Sequence, residues 1–293
     1  MKLQAHTLYL LMLVLIASCS NNDEPNYPVF MQPTSITTDD ANGGNQTFEY
    51  NEYGKIIAWT FNYSEYESIV AHYSYPNDNT IKIESEEKSL DTQTYWTETI
   101  KLLNGRALQS EGSFIRKQNN GTQIQKTYRL EFAYTPDNHL NIVKHSEIMG
   151  VGEDVIDTDW ENSWNWENYL IWDNGNLKEY QDFSGNSEVY ETTKYDYSVS
   201  AAEYPVIIPL VINSLHHSPL FMQGIFGLNS NNLLNTSSIF DKHGNLFLTR
   251  HYTYEFNDTG LIDQYVETTS NNTAFSNSIS YRVNWTDKFN YSF

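Results

Sequence analysis

The stretch FDKHGNLFLTRHYTYEFNDTGLI, residues 240–262, decides the fold class. Within it, Leu246, Leu248, Tyr252, Tyr254 and Phe256 share one parity, which is the period of a strand with one buried and one wet face. At each end an aromatic residue precedes Asp or Asn, and Gly follows three positions later. The polar side chain can bond the turn backbone, and Gly accepts a positive φ. The stretch therefore predicts two tight hairpin turns joined by a strand.

The same turn pattern recurs along the chain at irregular intervals. Copies begin at residues 50, 75, 134 and 172, and Asn79 and Asn138 stand where other copies have Gly. Asn is the best substitute for Gly at positive φ. Because the interval is not constant, the pattern is not that of a solenoid or a propeller. We predict one all-β domain over residues 34–293, an antiparallel meander of about 13–15 strands curled into a barrel or half-barrel to hide its edges.

Residues 205–235 interrupt the alternation. The apolar run from Val206 to Ile212 is followed by His216, His217 and further prolines and glycines. Proline and glycine prevent a long helix here. We expect an irregular, partly helical crossover that is buried and plugs or caps one end of the sheet.

Composition excludes several classes of protein. The chain has 293 residues with 17 Lys and Arg against 37 Asp and Glu, so the net charge of −20 argues against a nucleic-acid partner. An aromatic content of 15 % is too high for a disordered chain. One cysteine excludes an intrachain disulfide and a Cys-rich zinc site.

The N-terminus has the features of an export signal. Lys2 precedes an apolar run from Leu8 to Ile16, which is too short to span a bilayer comfortably. Small residues then lead to Cys19, as in a bacterial lipobox, which implies a signal peptide over residues 1–18 and lipidation of Cys19. Residues 19–33 would form a flexible tether to the membrane. The pair Asp23-Glu24 resembles the export signal of surface lipoproteins in Bacteroides-type bacteria, which implies a surface-exposed, lipid-anchored outer-membrane protein.

The lipobox, the hairpin pattern and two further motifs carry a family resemblance. The motifs are Trp172-Asp173-Asn174-Gly175-Asn176-Leu177 and the run from Gly227 to Leu233. Together they resemble a group of Bacteroides-type lipoproteins of unknown function with a porin-like fold. The hairpins alone resemble, more loosely, the Tyr-Asp repeats of bacterial surface shells. The resemblance implies a curved or closed sheet without membrane insertion, and it assigns no catalytic residue.

A tryptophan cluster is the main candidate for a ligand site. Trp160, Trp164, Trp166 and Trp172 share parity, so on one strand they would line one face. They can form a core stripe, or they can form a platform that stacks a sugar, with Asp159 and Glu161 supplying polar contacts.

Other chemistry has little local support. Asp154, Asp157, Asp159 and Glu161 do not fit a twelve-residue calcium loop, and a solvated strand face is the simpler interpretation. His216 and His217 are adjacent, so on a strand they would face opposite sides and could not easily chelate together. We therefore expect no metal and no cofactor.

We carry forward one preferred function and three alternatives. The preferred function is a non-enzymatic envelope lipoprotein that binds a glycan, a lipid or an envelope protein, or has a structural role. A polysaccharide hydrolase would instead use carboxylates from neighbouring strands. A lipid carrier would need a dry apolar cavity beneath residues 205–235. A transmembrane barrel is the weakest alternative, because charges are frequent on the strands.

Overall fold

The computed structural model describes residues 32–40, 44–64, 66–150, 164–183, 189–201, 215–271 and 276–285. The expectations for the signal peptide, for Cys19 and the tether up to residue 31, and for Asp159, Trp160 and Glu161 lie outside these ranges.

The described chain forms sixteen strands that close into one barrel. The strands are β1 Pro33–Thr37, β2 Asn45–Tyr50, β3 Ile56–Asn62, β4 Ser68–Asn77, β5 Thr80–Lys88, β6 Thr92–Leu103, β7 Arg106–Gln118, β8 Gln123–Tyr134, β9 Leu140–Gly150, β10 Trp164–Asp173, β11 Asn176–Phe183, β12 Val189–Ala201, β13 Asn232–Asp241, β14 Leu246–Phe256, β15 Ile262–Asn271 and β16 Ser276–Trp285.

Each strand pairs antiparallel with the next, and β1 pairs with β16 to complete the ring. The closing register places Ile36 opposite Val283. The predicted all-β antiparallel meander is therefore confirmed, with one strand more than the expected upper number. The barrel is fully closed, which leaves no unpaired sheet edge to attract another chain.

Alternation along the strands separates an apolar interior from a polar exterior. On β5, Ile81 and Ile83 are buried inside, whereas Lys82 and Glu84 are exposed outside. The inward residues of most strands join one continuous apolar cluster. The period-two pattern of the sequence is thus the inside-outside pattern of the barrel.

The hairpin turns follow the mechanism that the sequence predicts. The Asp241 carboxylate accepts hydrogen bonds from the backbone N–H groups of His243 and Asn245, each at 2.8 Å. Gly244 has a φ of 78° and Asn138 a φ of 70°. Asn79 differs, since it is not among the residues with positive φ. There the strands pair up to Asn77 opposite Thr80, so two residues separate the last pair, whereas five separate Phe240 from Leu246 in the full pattern.

Aromatic residues near the ends of six strands close one end of the barrel. Each donates a hydrogen bond of 2.6–2.9 Å to a carbonyl near the start of the preceding strand. The pairs are Tyr50 to Pro33, Tyr75 to Ile56, Tyr134 to Ala107, Trp172 to Leu140, Tyr254 to Leu234 and Trp285 to Ile262. We call these contacts the aromatic clasps. Each partly buries a ring inside the barrel while its polar atom remains hydrogen-bonded.

The described part of the segment between β12 and β13, residues 215–231, fills the same end, as predicted for the crossover. We name it the plug segment, and residues 202–214 before it lie outside the described ranges. It contains a 3-10 turn at Leu215–His217 and a short helix, α1, at Ser218–Met222. No helix in the described part of the chain is long and apolar enough to cross a bilayer.

Backbone hydrogen bonds join the plug segment to the strand ends. The N–H of Ala107 donates to the carbonyl of Ile225 at 2.8 Å, and the N–H of Leu228 donates to the carbonyl of Asn138 at 3.0 Å. Leu220 and Phe226 are almost fully buried. The plug is therefore part of the folded barrel and not a loosely attached loop.

Gly227 is the tightest point of this contact. Its φ is 96°, and a Cβ added there would lie 2.5 Å from the carbonyl oxygen of Asn138. We expect Gly227→Ala to lower the free energy of unfolding by at least about 2 kcal/mol, because positive φ and a backbone clash both oppose the side chain. Chemical denaturation monitored by tryptophan fluorescence measures the loss.

Gly244→Ala is the matched control, because Gly244 also has positive φ but has nothing within 4 Å of an added Cβ. Its cost should be only about 1 kcal/mol. Equal losses in the two variants would show that the plug contact does not constrain Gly227.

Candidate functional site

A buried carboxylate lies at the centre of the candidate site. Glu98 occupies an inward position on β6 between the inward residues Trp96 and Ile100. The residue is 3 % exposed, and its side chain has no solvent contact. A carboxylate withdrawn from water in this way requires several charged or hydrogen-bonding partners.

Two partners come from the 3-10 turn of the plug segment. His216 and His217 are both buried, and their rings lie 4.6 Å apart between centroids at an angle of 70°. The expectation that the two rings would face opposite sides assumed a strand and is wrong here. A 3-10 helix has three residues per turn, so adjacent side chains diverge by only about 120° and both can reach one carboxylate.

Three donors surround the Glu98 carboxylate. His216 Nε2 lies 2.9 Å from Oε2, and His217 Nε2 lies 2.8 Å from Oε1 and 2.9 Å from Oε2. The Tyr128 hydroxyl donates to Oε2 at 2.7 Å. Both carboxylate oxygens are therefore engaged, and the cluster joins β6, β8 and the plug segment.

The protonation of the cluster follows from these contacts. Burial by itself would raise the pKa of Glu98, but the attraction and hydrogen bonds of His217 and His216 outweigh it and hold the pKa well below its usual range. Burial lowers the pKa of His216, and the bond to Glu98 only partly opposes this shift. Glu98 is therefore ionised at neutral pH.

Aromatic rings enclose the cluster and keep it dry. The Trp96 ring lies 5.6 Å from His216, and the Phe226 ring lies 5.4 Å from His217. The Tyr73 hydroxyl donates to the His216 carbonyl at 2.7 Å. These contacts fix the orientation of the 3-10 turn, and a low local dielectric strengthens every polar interaction inside it.

His145 extends the polar group toward β10. Its ring lies 3.6 Å from Trp166 and 5.9 Å from Tyr128 between centroids. Its Nε2 atom is buried and has no hydrogen-bond partner. Burial lowers the pKa of His145 to about 3. The charge of Glu98 opposes this shift, and the charges of Lys126 and His217 add to it. The ring is therefore neutral at all physiological pH values.

The structure places only part of the predicted tryptophan cluster. Trp166 is half-buried against His145, and Trp172 is half-buried, stacked on His139 at 4.1 Å, with its N–H donating to Leu140. Trp164 begins β10 opposite Glu147. Trp166 and Trp172 thus pack among residues of the barrel, and Trp172 serves as an aromatic clasp.

The end of the barrel opposite the plug contains a second set of inward polar residues. Asp182 on β11 lies directly opposite Glu191 on β12. The Asn168 amide accepts from the Tyr180 hydroxyl at 2.6 Å and donates to Asp182 at 2.9 Å. Burial, followed by the charge of Glu191, raises the pKa of Asp182. Two carboxylates, one of them with a raised pKa, therefore lie opposite each other on one strand pair.

Comparisons with known proteins agree with this architecture. The chain is similar to a porin-like protein from Bacteroides vulgatus, with a TM-score of 0.53 and 17 % identity over 87 % of this chain and 98 % of that one. It is also similar to a porin-like protein from Bacteroides uniformis, with a TM-score of 0.52 and 12 % identity over the same shares. No family model and no curated protein matches the chain.

The likeness shows the fold: a closed antiparallel barrel of the porin-like kind. Many inward side chains of the described residues are almost fully buried, so the chain itself fills much of the described interior. The sequence resemblance to porin-like Bacteroides proteins is therefore confirmed for the fold.

The Glu98 cluster was not predicted from the sequence. Glu98 shares its strand parity with Trp96 and Ile100, so a charged residue on an otherwise buried face was the available signal. Its partners follow 118 and 119 residues later, which no local pattern connects.

The unpaired His145 predicts a pH dependence of stability. Its pKa in the folded state lies below the ordinary value, so the unfolded chain takes up the proton first. The stability that neutral His145 contributes should fall as the pH drops below 6.5 toward 3. Between pH 6.5 and pH 5 we expect a loss of about 2 kcal/mol from this group. Urea denaturation at each pH measures it.

His145→Gln should reduce this loss of folding stability between pH 6.5 and pH 5, because the amide does not titrate. His216 retains part of the dependence, since its pKa is also lowered. His72→Gln is the control, because His72 is exposed on the outer face of β4. An unchanged pH profile in His145→Gln would contradict the assignment.

Proposed function

We propose that this chain is a lipid-anchored protein of the outer membrane that binds a glycan or another envelope component without transforming it. The observation that carries the proposal is the polarity of the barrel. Apolar side chains face the interior, and charged residues such as Lys82, Glu84 and Lys101 are exposed outside.

That polarity favours a barrel surrounded by water. A transmembrane barrel presents an apolar band to the lipid and a polar interior, which is the reverse arrangement. A sixteen-strand barrel that crosses a membrane leaves a water-filled channel, whereas this one holds the plug segment and the aromatic clasps. A barrel surrounded by water needs a separate attachment to the membrane, and lipidation of Cys19 in the lipobox would provide it.

The structural neighbours agree with an envelope location. Both are described as porin-like and come from Bacteroides species. Small residues before Cys19 and the acidic pair Asp23-Glu24 are consistent with export and lipid attachment in such bacteria. The proposed envelope location therefore has two independent grounds, the structural neighbours and the N-terminal sequence.

The inner face away from the plug is the proposed binding region. Phe114 and Trp166 are only partly buried there, and Lys126 and Arg116 each lie 5.8 Å from the Phe114 ring. Lys126 also pairs with Glu147. Aromatic surface beside charged groups is the typical lining of a carbohydrate site. We include four further residues in the proposed binding region because they stand in the sequence at or just before the start of β10: Trp164, Trp160, Asp159 and Glu161.

A polysaccharide hydrolase is the second candidate, and one observation favours it. Asp182 and Glu191 are register partners, and cross-strand partners have Cβ atoms about 4.5–5.5 Å apart. Retaining glycosidases use two carboxyl groups about 5–5.5 Å apart, one of them with a raised pKa. The raised pKa of Asp182 would suit a general acid.

The lipid-carrier alternative loses its main support. Leu220, Phe226 and His217 in the plug segment are each at most 1 % exposed. A cavity large enough to admit even one water molecule would expose the atoms that line it. These three side chains therefore line no lipid pocket.

Anchoring can be tested at Cys19. We expect the full-length protein to incorporate a labelled fatty acid and to sediment with membranes, because acylation makes anchoring stable. Cys19→Ala should lose the label and move to the soluble fraction. Gel fluorescence and fractionation measure both effects. Ser20→Ala should behave like the unmodified protein, and label retained in Cys19→Ala would refute the anchor.

Binding and hydrolysis can be separated in one assay. We expect the protein to be retained by an insoluble member of a polysaccharide panel without releasing reducing ends. Trp166→Ala should weaken retention at least tenfold, as is typical when a stacking ring is lost. Trp59→Phe is the aromatic control, since Trp59 is buried near β2.

Release of reducing ends would favour the hydrolase, provided that Asp182→Asn and Glu191→Gln abolish it in folded protein. Retention that is equal in Trp166→Ala and the unmodified protein would exclude the proposed binding region.

A further inference from the structure

We propose that Glu98, His216 and His217 bind one divalent transition-metal cation of the Zn²⁺ class, and that this cation fixes the plug segment to the barrel wall. The inference is independent of lipid anchoring and of glycan binding. It concerns a buried site in the middle of the barrel.

The donor set is the first argument. The three donor atoms, two imidazole nitrogens and one carboxylate oxygen, all lie within 4.8 Å of one another. Two His and one Glu are a known ligand set for Zn²⁺. Imidazole favours borderline transition metals over Mg²⁺ or Ca²⁺, which prefer oxygen ligands.

The spacing of the donors is the second argument. Zinc bonds of 2.0–2.1 Å in a tetrahedral site place neighbouring ligand atoms about 3.3 Å apart. Here the Nε2 atoms lie 2.8–2.9 Å from the Glu98 oxygens. Outward movements of about half an ångström would therefore open the three donors around a cation. Both rings already present the same nitrogen, Nε2, toward the carboxylate.

The surroundings of the ligands are the third argument. Tyr128 donates to Oε2 of Glu98, so Oε1 can serve as the ligand oxygen while its partner remains hydrogen-bonded. Metal-binding carboxylates are commonly oriented by such an outer bond. Trp96 and Phe226 cover the two imidazoles, and Tyr73 holds the His216 carbonyl. The ligands are thus positioned before any cation arrives.

The position in the fold gives the cation a structural role. Glu98 belongs to the wall at β6, whereas both His residues belong to a segment more than a hundred residues later in the chain. A cation that bonds all three would join the plug to the wall directly. Because the unfolded chain separates these ligands, most of the binding free energy would stabilise the fold.

The experiment uses the full chain in mild detergent, with Cys19→Ser in every sample so that the thiol cannot bind metal. The protein is unfolded with chelator, then refolded with no metal, with Zn²⁺, with Co²⁺ or with Mg²⁺. Elemental analysis measures stoichiometry, and the visible spectrum of bound Co²⁺ reports coordination by nitrogen. Thermal unfolding measures the effect on stability.

We expect one Zn²⁺ per chain, a Co²⁺ spectrum typical of four-coordinate nitrogen and oxygen ligands, and a thermal midpoint that rises with Zn²⁺ but not with Mg²⁺. His217→Gln and His216→Gln should each bind Zn²⁺ at least 100-fold more weakly. His251→Gln, which changes an exposed residue on β14, should bind like the parent.

Two results would overturn the proposal. The first is a parent protein that refolds, judged by circular dichroism, with the same midpoint and no bound metal whether Zn²⁺ is present or not. The second is Zn²⁺ binding that persists undiminished in folded His216→Gln or His217→Gln. If neither variant folds, the stoichiometry, the Co²⁺ spectrum and the midpoint of the parent decide the question by themselves.

Discussion

The need to fill a wide lumen governs this structure. Sixteen strands enclose a space that, in barrels of this size, is large enough for an aqueous channel. A barrel with apolar inner walls cannot leave that space to water, because buried apolar surface is the main stabilising contribution. The chain therefore supplies its own filling from two sources, the aromatic clasps and the plug segment.

The two kinds of filling depend on each other at one end of the barrel. The aromatic clasps bring large rings inside and satisfy their polar atoms on strand carbonyls, and the plug segment packs against the same rim. Tyr134 belongs to both, since it donates to Ala107 and lies beside Gly227. The closure of this end thus accounts for part of the high aromatic content of the chain.

Filling the barrel also brings polar groups into the interior. The 3-10 turn carries two imidazoles into the middle of the barrel, where Glu98 meets them together with Tyr128. A charge in that position destabilises the fold unless it is paired, so the cluster must be assembled whenever the plug is in place. The same geometry that satisfies the carboxylate also creates the proposed cation site. The candidate functional groups of this barrel therefore lie inside it and at the end opposite the plug segment.

The sequence by itself determined the strand period, the hairpin turns at Asp241 and Asn257, the antiparallel meander and the plugging crossover, because each depends on residues close together in the chain. The register of closure, the Asp182–Glu191 pair and the Glu98 cluster were decided only by the tertiary structure. Contacts between residues 98 and 216 or 36 and 283 leave no local periodicity, and the side-chain directions of His216 and His217 depend on a 3-10 turn that packing against the wall selects. Short-range patterns specify elements, whereas the filling of a closed barrel specifies which distant side chains meet.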